Sequence, residues 1–543
     1  MRSAISSFKG AWFYPTLYRK NLLRFWPLWA LYGLYWLFLF PIGLLTTRPV
    51  GDARWYFVSQ RIPSATAATS LFMAAGLGIL AAMAVFSYLY QGRSVNLLHA
   101  LPVRREGLFL TNYLSGLTFF ALPLAVVFVL TLLIELLMGV VYFPALFTWL
   151  VVNLMAALFF YSFAVFCAMF TGHILALPVF YGILNWLVLG LCGLIESILG
   201  QFVYGFAGIE GLHTLASWLT PFYHMYQHLG TSYVESTDAY CVIGLLPLFL
   251  YAIVGLVLAG LALAIYNQRQ LECAGDVVSV AWVRPVFKYG VALCAALALG
   301  QFLYYIFFQG TSLEGPWFLL LNMILGGAVG YFVAKMFLAK SFRVFHEGWK
   351  GLGVFSLALV AASCCMVFDV TGFEQRVPDV KQVEMVCMDA IHSYPTDSMA
   401  WGSDYVLADP EEIALITQLH STIVSEYSDR GRMDEGYYSS YETEPWSNLD
   451  IEVAKTVRVQ LEYTLVNGKK MYRSYTVPIS QELMDDPRAS AGQISAILNN
   501  RKLAAEHYFA EINREEAESR LVDVSLSIPD REGEGYRYLD MDE

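Results

Sequence analysis

Charged side chains are scarce in this chain of 543 residues. Only 15% are Asp, Glu, Lys or Arg, whereas 57% are hydrophobic and the mean hydropathy is +0.51. Soluble globular proteins carry about 25% charged residues. This shortage excludes an ordinary soluble fold and predicts a protein built for the lipid bilayer.

Enzyme signatures are also missing. The chain has no Gly-x4-Gly-Lys-Ser/Thr loop, so it cannot hold ATP phosphates in that way. The run "HEGWK" has Lys350 where a zinc protease needs its second histidine. No nucleophile–base pair is recognisable in the apolar stretches. We therefore expect no catalytic activity, cofactor, metal ion or nucleic-acid partner.

The charges are divided unevenly along the chain. From residue 370 onward there are 16 Lys and Arg against 33 Asp and Glu, whereas residues 1–369 hold 18 against 12. This division predicts a mildly basic membrane part followed by an acidic, water-facing domain. The acidic part contains one cysteine, Cys387, so it has no internal disulfide, and we expect this cysteine to be buried on a strand.

Nine apolar stretches are long enough to cross a bilayer, which takes about 20 residues of helix. They run over Phe25–Leu45, Thr66–Tyr90, Leu108–Val140, Ala145–Met169, Ile174–Ile198, Cys241–Tyr266, Tyr289–Phe308, Pro316–Leu338 and Leu352–Phe368. The predicted fold is therefore an α-helical polytopic membrane protein with about nine spans.

Basic residues in short loops predict the orientation, because they favour the cytoplasmic side. A cytoplasmic N-terminus places most of them inside, and the long outer loop 199–240 then contains no Lys or Arg. Arg48, Arg54 and Arg61 before the second span argue against this orientation. On balance we expect the plasma membrane as the location, with the N-terminus cytoplasmic and the C-terminal domain outside.

The two ends of the chain have distinct character. Residues 1–24 mix aromatic with basic side chains, which is typical of a helix lying in the headgroup layer. Residues 370–543 predict an α+β domain. Its expected elements are a strand at Val383–Met388, a helix after Asp409, a hairpin around Asn467-Gly468, a helix over Gly492–Arg520 and a strand at Leu521–Ile528.

Four polar residues near the predicted spans are candidates for a pathway or an interface. Glu135 and Glu196 are carboxylates inside spans, where charge is costly and indicates either function or a position near the water interface. His224 and His228 have the spacing of metal ligands on a helix, but two histidines alone fit an aromatic–histidine cluster at the interface at least as well.

Residues 92–116, "GRSVNLLHALPVRREGLFLTNYLSG", interrupt two apolar stretches with a short amphipathic piece. Val95 and Leu98 can share an apolar face that His99 and Leu101 extend, and Pro102 ends that helix before the third span. A plain loop needs no such face. The segment therefore predicts docking, either to the lipid surface or to a groove in a partner protein.

The stretch "LLHALPVRREGLFLTNYLSG" resembles the segment before the third span of ABC-2 type transporter permeases. In that family the segment is a coupling helix that seats in a cytoplasmic ATPase. The resemblance implies a coupling role for the polar and apolar residues of this segment, namely Arg93, Leu98, His99, Leu101, Pro102, Arg104 and Arg105.

The same resemblance assigns the rest of the chain. Residues 1–24 match the family's connecting helix, and residues 25–266 match its six-span module, which works in pairs. Residues 267–369 add three spans, and residues 370–543 correspond to an extracytoplasmic domain found in a bacterial subgroup. The implied function is the permease subunit of an exporter for an amphipathic compound or peptide, with an ATPase subunit and a second permease copy or paralogue as partners.

Three other functions remain open. A membrane sensor could bind a ligand through the external domain, but the inner segments are too short for an output domain, so it would need a partner. An intramembrane hydrolase would need a catalytic constellation that the sequence does not show. An ion-coupled carrier would need ionisable groups at the middle of the membrane, and few are present.

Overall fold

The computed structural model describes residues 12–47, 53–92, 94–95, 103–209, 211–269, 276–278, 280, 282–309, 311, 313–345, 348–392, 405–430, 455–479, 481–500, 502–503, 525–529 and 536–540. The chain divides into two compact units. The first comprises Met1–Ser197, Gly211–Gln309 and Trp317–Ser363, and the second comprises Ile198–Glu210, Gly310–Pro316 and Cys364–Glu543.

Helices dominate the first unit. The elements in chain order are α1 Pro15–Arg24, α2 Trp26–Thr46, α3 Ala53–Val85, α4 Arg105–Met138, α5 Phe143–Phe170, α6 Ala176–Phe202, α7 Leu212–Trp218, α8 Pro221–His228, β1 Gly230–Val234, β2 Ala239–Ile243, α9 Leu245–Gln268, α10 Val283–Phe307, α11 Pro316–Ala339 and α12 Trp349–Val367. Three of these helices, α6, α11 and α12, have end residues that belong to the second unit. Within the described residues, nine helices are long and apolar enough to cross a membrane. This finding agrees with the predicted helical membrane fold.

Large apolar side chains cover the outside of these helices. Leu137 at the end of α4 is 86% exposed, and Leu246 in α9 and Leu357 in α12 are about 70% exposed. A soluble protein would bury such side chains, since each leaves more than 1 kcal/mol of hydrophobic stabilisation unused in water. Lipid supplies the missing apolar surroundings, so the exposed faces are those of membrane helices.

The interior of the first unit is centred on α5. Its faces pack against α3 on one side and α9 on the other, and Trp149, Phe160 and Tyr161 are completely buried. Gly255 lets α9 approach closely, because a Cβ atom there would lie 2.8 Å from the Cα atom of Phe159. Small residues at such crossings are typical of helices that associate in lipid.

Several helix boundaries differ from the sequence-based prediction, and two of these differences change the structural assignment of named residues. Helix α3 begins at Ala53 rather than Thr66, so Arg54 and Arg61 lie within a helix and not in a loop. The prediction followed hydropathy, which these polar residues lower without interrupting the helical backbone. Cys241 was expected to open the sixth span, but it lies in β2, which pairs with β1 in an antiparallel hairpin before α9 begins at Leu245.

Two wide helical turns lie at the facing ends of α2 and α3. Phe38–Ile42 in α2 and Phe57–Arg61 in α3 are π-helical. Each such turn accommodates one more residue than an α-helical turn does. The two turns are close, because a Cβ atom on Gly43 would lie 3.0 Å from the Phe57 ring.

The second unit contains an antiparallel sheet with strand order β4-β3-β5-β6. Its elements in chain order are β3 Val383–His392, β4 Tyr405–Leu407, α13 Pro410–Arg430, β5 Lys455–Leu465, β6 Lys470–Ile479, α14 Gln481–Asp485, α15 Ser490–Leu498, β7 Ser525–Pro529 and β8 Tyr536–Asp540. Ile413, Ile416, Leu419 and Ile423 of α13 are buried in its core, as the predicted amphipathic face requires.

The predicted strand at Val383, the helix after Asp409 and the hairpin around Asn467-Gly468 are all present. Helix α15 ends at Leu498, and most of the remaining stretch to Arg520 lies outside the described residues. The last predicted strand is β7, which pairs with β8, a strand that was not predicted. Cys387 is half-buried rather than buried, because alternation along β3 turns Val386 and Met388 into the core instead.

The residues that follow α6 belong to the second unit and extend its sheet at β6. The backbone N–H of Ser474 donates to the carbonyl of Gly205 over 3.3 Å, and Phe206 forms a bridge with Arg473. The N–H of Tyr204 donates to the carboxylate of Glu374 over 3.2 Å. An edge strand offers unpaired backbone groups, so this segment covers part of an edge that would otherwise be exposed.

A polar cluster lies inside the core of the second unit. His420 is completely buried, with Nδ1 3.1 Å from the hydroxyl of Tyr463 and Nε2 2.7 Å from the hydroxyl of Tyr475. Burial, and secondarily the positive charge of Arg473, lowers the pKa of His420 to about 3. The ring is therefore neutral, and it donates through one nitrogen and accepts through the other.

Arg473 is buried beside this cluster. Its guanidinium donates to the carbonyls of Phe373 and Arg376 over 3.0 and 3.4 Å, and it lies 3.8 Å from the centre of the Phe373 ring. Burial lowers the pKa of Arg473, whereas Tyr475 opposes that shift. The buried cation is thus held by carbonyl oxygens and an aromatic face.

Candidate functional site

Only part of the predicted coupling segment 92–116 is described, namely residues 92, 94–95 and 103–116. Arg93, Leu98, His99, Leu101 and Pro102 lie outside the described residues. Arg104 and Arg105 are described, and they stand at the beginning of α4.

The start of α4 is joined to α1 by polar contacts. The N–H of Arg104 donates to the hydroxyl of Tyr14 over 3.0 Å, and the N–H of Tyr14 donates to the hydroxyl of Thr111 over the same distance. Further along α1, the side-chain amide of Asn21 donates to the side-chain oxygen of Asn112, the residue after Thr111, over 2.8 Å. Buried hydrogen bonds of this kind fix the register of two helices, because breaking them leaves polar groups without partners. Helix α1 is therefore anchored on α4.

The same end of α4 also reaches α9. The guanidinium of Arg105 donates to the backbone carbonyl of Asn267 over 3.3 Å, at the last turn of that helix. The side chain of Arg104 is exposed and lies 5.8 Å from the ring of Trp12. Arg104 and Arg105, the described members of the predicted coupling residues, thus connect the start of α4 with α1 and its N-terminal flank and with α9.

The two candidate carboxylates lie on different helices. Glu135, in the last turn of α4, is completely buried, and neither oxygen of its carboxylate has a hydrogen-bond partner within the described residues. Glu196 in α6 is half-buried. A carboxylate near a helix C-terminus is unfavourable, and burial without a partner adds to the cost. Within the described residues, Glu135 is thus enclosed by protein rather than exposed on the helix surface.

His224 and His228 come together on α8 and line a cavity of about 340 Å³. Their ring centroids are 4.1 Å apart, and the ring of Trp218 lies 4.0 Å from His224 on its other side. Leu246 and Pro247 at the start of α9 also contribute to the wall. The sequence indicated the two histidines but not Trp218 from α7. The only available signal was the density of aromatic residues around them.

The hydrogen bonds of the two histidines differ. His224 is 3% exposed, and its Nδ1 lies 2.9 Å from the hydroxyl of Ser217, whereas its Nε2 has no hydrogen-bond partner in the part of the chain that the structure describes. Burial, and secondarily His228, lowers the pKa of His224. Nδ1 of His228 lies 2.8 Å from the carbonyl of His224. Since a carbonyl only accepts, Nδ1 of His228 carries a proton and donates it in this hydrogen bond.

No group of three His, Cys, Asp or Glu side chains in the described part of the chain is placed to hold a metal ion. The rings of His224, His228 and Trp218 form an aromatic cluster beside the cavity. Comparisons of the chain with protein-family models, with curated proteins and with solved structures gave no match.

Proposed function

We propose that this chain is the membrane-spanning permease subunit of an ATP-binding-cassette exporter. A separate ATPase would bind residues 92–116, and the exported cargo would be an amphipathic compound or peptide. The chain has no phosphate-binding loop of its own, so energy has to come from a partner. The resemblance of the segment to ABC-2 permeases supports this assignment.

The observation that carries the proposal is the anchoring of Arg104 on Tyr14. A coupling element has to transmit movement to the spans, and this requires rigid contacts where it ends. The hydrogen bonds among Tyr14, Arg104 and Thr111 provide such a contact between α1 and α4. A partner that displaces the preceding segment would thereby move two helices together.

The rest of the proposal concerns assembly and orientation. Residues 25–266 would form a six-span module. This module would pair, side by side in the same bilayer, with a second copy or a paralogue. The N-terminus and the segment 92–116 would be cytoplasmic in the plasma membrane, and the second unit would be extracytoplasmic. The apolar exterior of the helices suits both lipid and a partner permease.

Purification of the full chain from its native membrane in a mild detergent tests the proposal. We expect an ATPase to be recovered with it. Arg104→Glu should lower that recovery about ten-fold, because charge reversal at an interface turns attraction into repulsion. Its side chain is exposed, so the fold should tolerate the change.

Arg343→Glu is the matched control. Arg343 is an exposed arginine between α11 and α12, and the predicted topology places it on the same side of the membrane. This variant should retain the ATPase. Equal recovery with both variants, or transport by the purified chain without ATP, would contradict the proposal. Recovery of a signalling partner in place of an ATPase would favour the sensor.

A further inference from the structure

The cavity beside His224 and His228 is built by two short helices and the start of a long one. Helices α7 and α8 supply most of the wall, including His213, Thr214 and Gln227. These three side chains are exposed, so the cavity is open to its surroundings. Its volume of about 340 Å³ is at the lower end of the range for small-molecule sites, about 300–1,000 Å³.

The chemistry of the wall excludes most ionic ligands. None of the lining residues is Asp, Glu, Lys or Arg. A bound ammonium group would have no carboxylate partner, and a bound phosphate would have no permanent cation. The described residues also provide no three-ligand metal site. The ligand should therefore be neutral.

Several hydrogen-bonding groups without formal charge line the cavity. Nδ1 of His228 donates to the carbonyl of His224, so Nε2 is the ring nitrogen left for a ligand. Gln227 donates one amide hydrogen to Tyr223 over 2.6 Å and retains its carbonyl oxygen as an acceptor. Thr214 adds a hydroxyl that both donates and accepts. Such a set favours a ligand with several hydroxyl groups.

Trp218 adds an apolar surface to these polar groups. One side of its indole faces the ring of His224 at 4.0 Å, and 41% of the residue remains exposed. An indole next to hydrogen-bonding side chains binds groups that are apolar on one face and polar at the edge. Sugar rings have this character, because their C–H face is apolar and their hydroxyls lie around the edge.

We propose that this cavity binds a neutral sugar, which would be the headgroup of the exported amphiphile. This identification rests on the proposed export function. The sugar stacks on Trp218, and its hydroxyls bond to Thr214, Gln227 and His228. Buried polar groups without a partner call for an explanation in a native structure, and Nε2 of His224 at the base of the cluster is one of them.

Residue-specific chemical modification tests the site without any ATPase. Diethyl pyrocarbonate modifies neutral imidazoles, and peptide mass spectrometry then gives the rate at His213 and His228. The full chain is placed in phosphatidylcholine nanodiscs, with or without diglucosyl diacylglycerol, and a parallel sample receives free maltose. His173 is an exposed histidine between α5 and α6 and serves as the internal control.

We expect a sugar to slow modification at His213 and His228 and to leave His173 unchanged. Protection by the glycolipid alone identifies a lipid headgroup, whereas protection by maltose identifies free sugar as sufficient. Thr214→Val and Gln227→Ala should each raise the half-protecting concentration about five-fold, the effect of one net hydrogen bond. Leu215→Ala, an exposed change on α7 outside the cavity, should have no effect.

Two results would overturn the proposal. One is an absence of protection by either sugar at saturating concentration, and the other is equal protection by phosphatidylglycerol, which would indicate an anionic headgroup. The assay uses the isolated chain, so its outcome is independent of ATPase recovery. Sugar protection in a chain that recovers no ATPase would leave the site in place and remove the export function.

Discussion

The rings of Tyr204 and Tyr427 stack face to face, with centroids 3.6 Å apart and planes 5° from parallel. Tyr204 follows α6, whereas Tyr427 lies near the end of α13. An aromatic pair of this kind contributes about 0.5–1.5 kcal/mol beyond the area it buries. The second unit therefore depends on a segment that lies between two stretches of the first unit along the chain.

Removing this stack should loosen the edge of the sheet at β6. Tyr204→Ala should lower the local free energy of opening by about 2 kcal/mol, through loss of the ring pair and its buried area. Hydrogen exchange over Lys470–Ile479 measures the effect and should accelerate. Tyr233→Ala in β1 of the first unit is the control and should leave β6 unchanged. Unaltered exchange in the Tyr204 variant would contradict a stabilising role for this segment.

Two glycines allow the steric cost of an added Cβ atom to be measured separately from the cost of a strained backbone conformation. Gly205 has φ +74° and Gly211 has φ +71°, so alanine costs each about 1–2 kcal/mol in backbone strain. A Cβ atom at Gly205 would also lie 2.5 Å from Tyr475, whereas at Gly211 nothing lies within 4 Å. In thermal unfolding of the full chain, Gly205→Ala should lower the midpoint clearly more than Gly211→Ala. Equal shifts would show that Gly205 does not fit closely against Tyr475.

The second unit should lose stability in acid through His420. Its pKa of about 3 in the fold lies below the ordinary 6.5, so the unfolded chain binds a proton first as the pH falls. Between pH 6.5 and 3 the free energy of unfolding should fall by up to about 1.4 kcal/mol per pH unit from this group alone.

His420→Gln removes the titrating ring and keeps polar atoms beside Tyr463 and Tyr475. This variant should be less stable at pH 7 by about 1–3 kcal/mol, because its hydrogen bonds are imperfect. Its stability should fall less steeply in acid than that of the wild type. Pulse proteolysis at a series of pH values measures both, and subtracting the two curves cancels the carboxylates. Parallel curves would contradict a neutral buried His420.

The acidic residues 370–543 are proposed to lie outside the cell, and protease accessibility tests this orientation. Protease added to right-side-out vesicles should cleave the second unit and leave most of residues 1–369 intact. Opening the vesicles should then allow cleavage of exposed segments on the inner side. Cleavage of the second unit only after opening would reverse the predicted side and remove an extracytoplasmic role.

Hydropathy predicted the nine apolar helices because bilayer thickness imposes a minimum apolar length on each of them. It misplaced the start of α3, since Arg54 and Arg61 are polar but helical. The contact of Tyr204 with Tyr427 could not be predicted from sequence periodicity, because it joins segments that lie far apart in the chain. For the same reason the histidine spacing indicated a pair on α8 but not Trp218, which lies on another helix.

Because of the π-helical turn Phe57–Arg61, α3 should tolerate the deletion of one residue within this turn better than a deletion elsewhere in the helix. A deletion in an α-helix rotates everything on one side of it by about 100°, which would turn buried residues such as Ala74 and Ala81 away from α5. A deletion within Phe57–Arg61 can instead convert the wide turn to an ordinary one and leave the later residues in phase. This turn is thus the place where α3 can change length without losing its packed face.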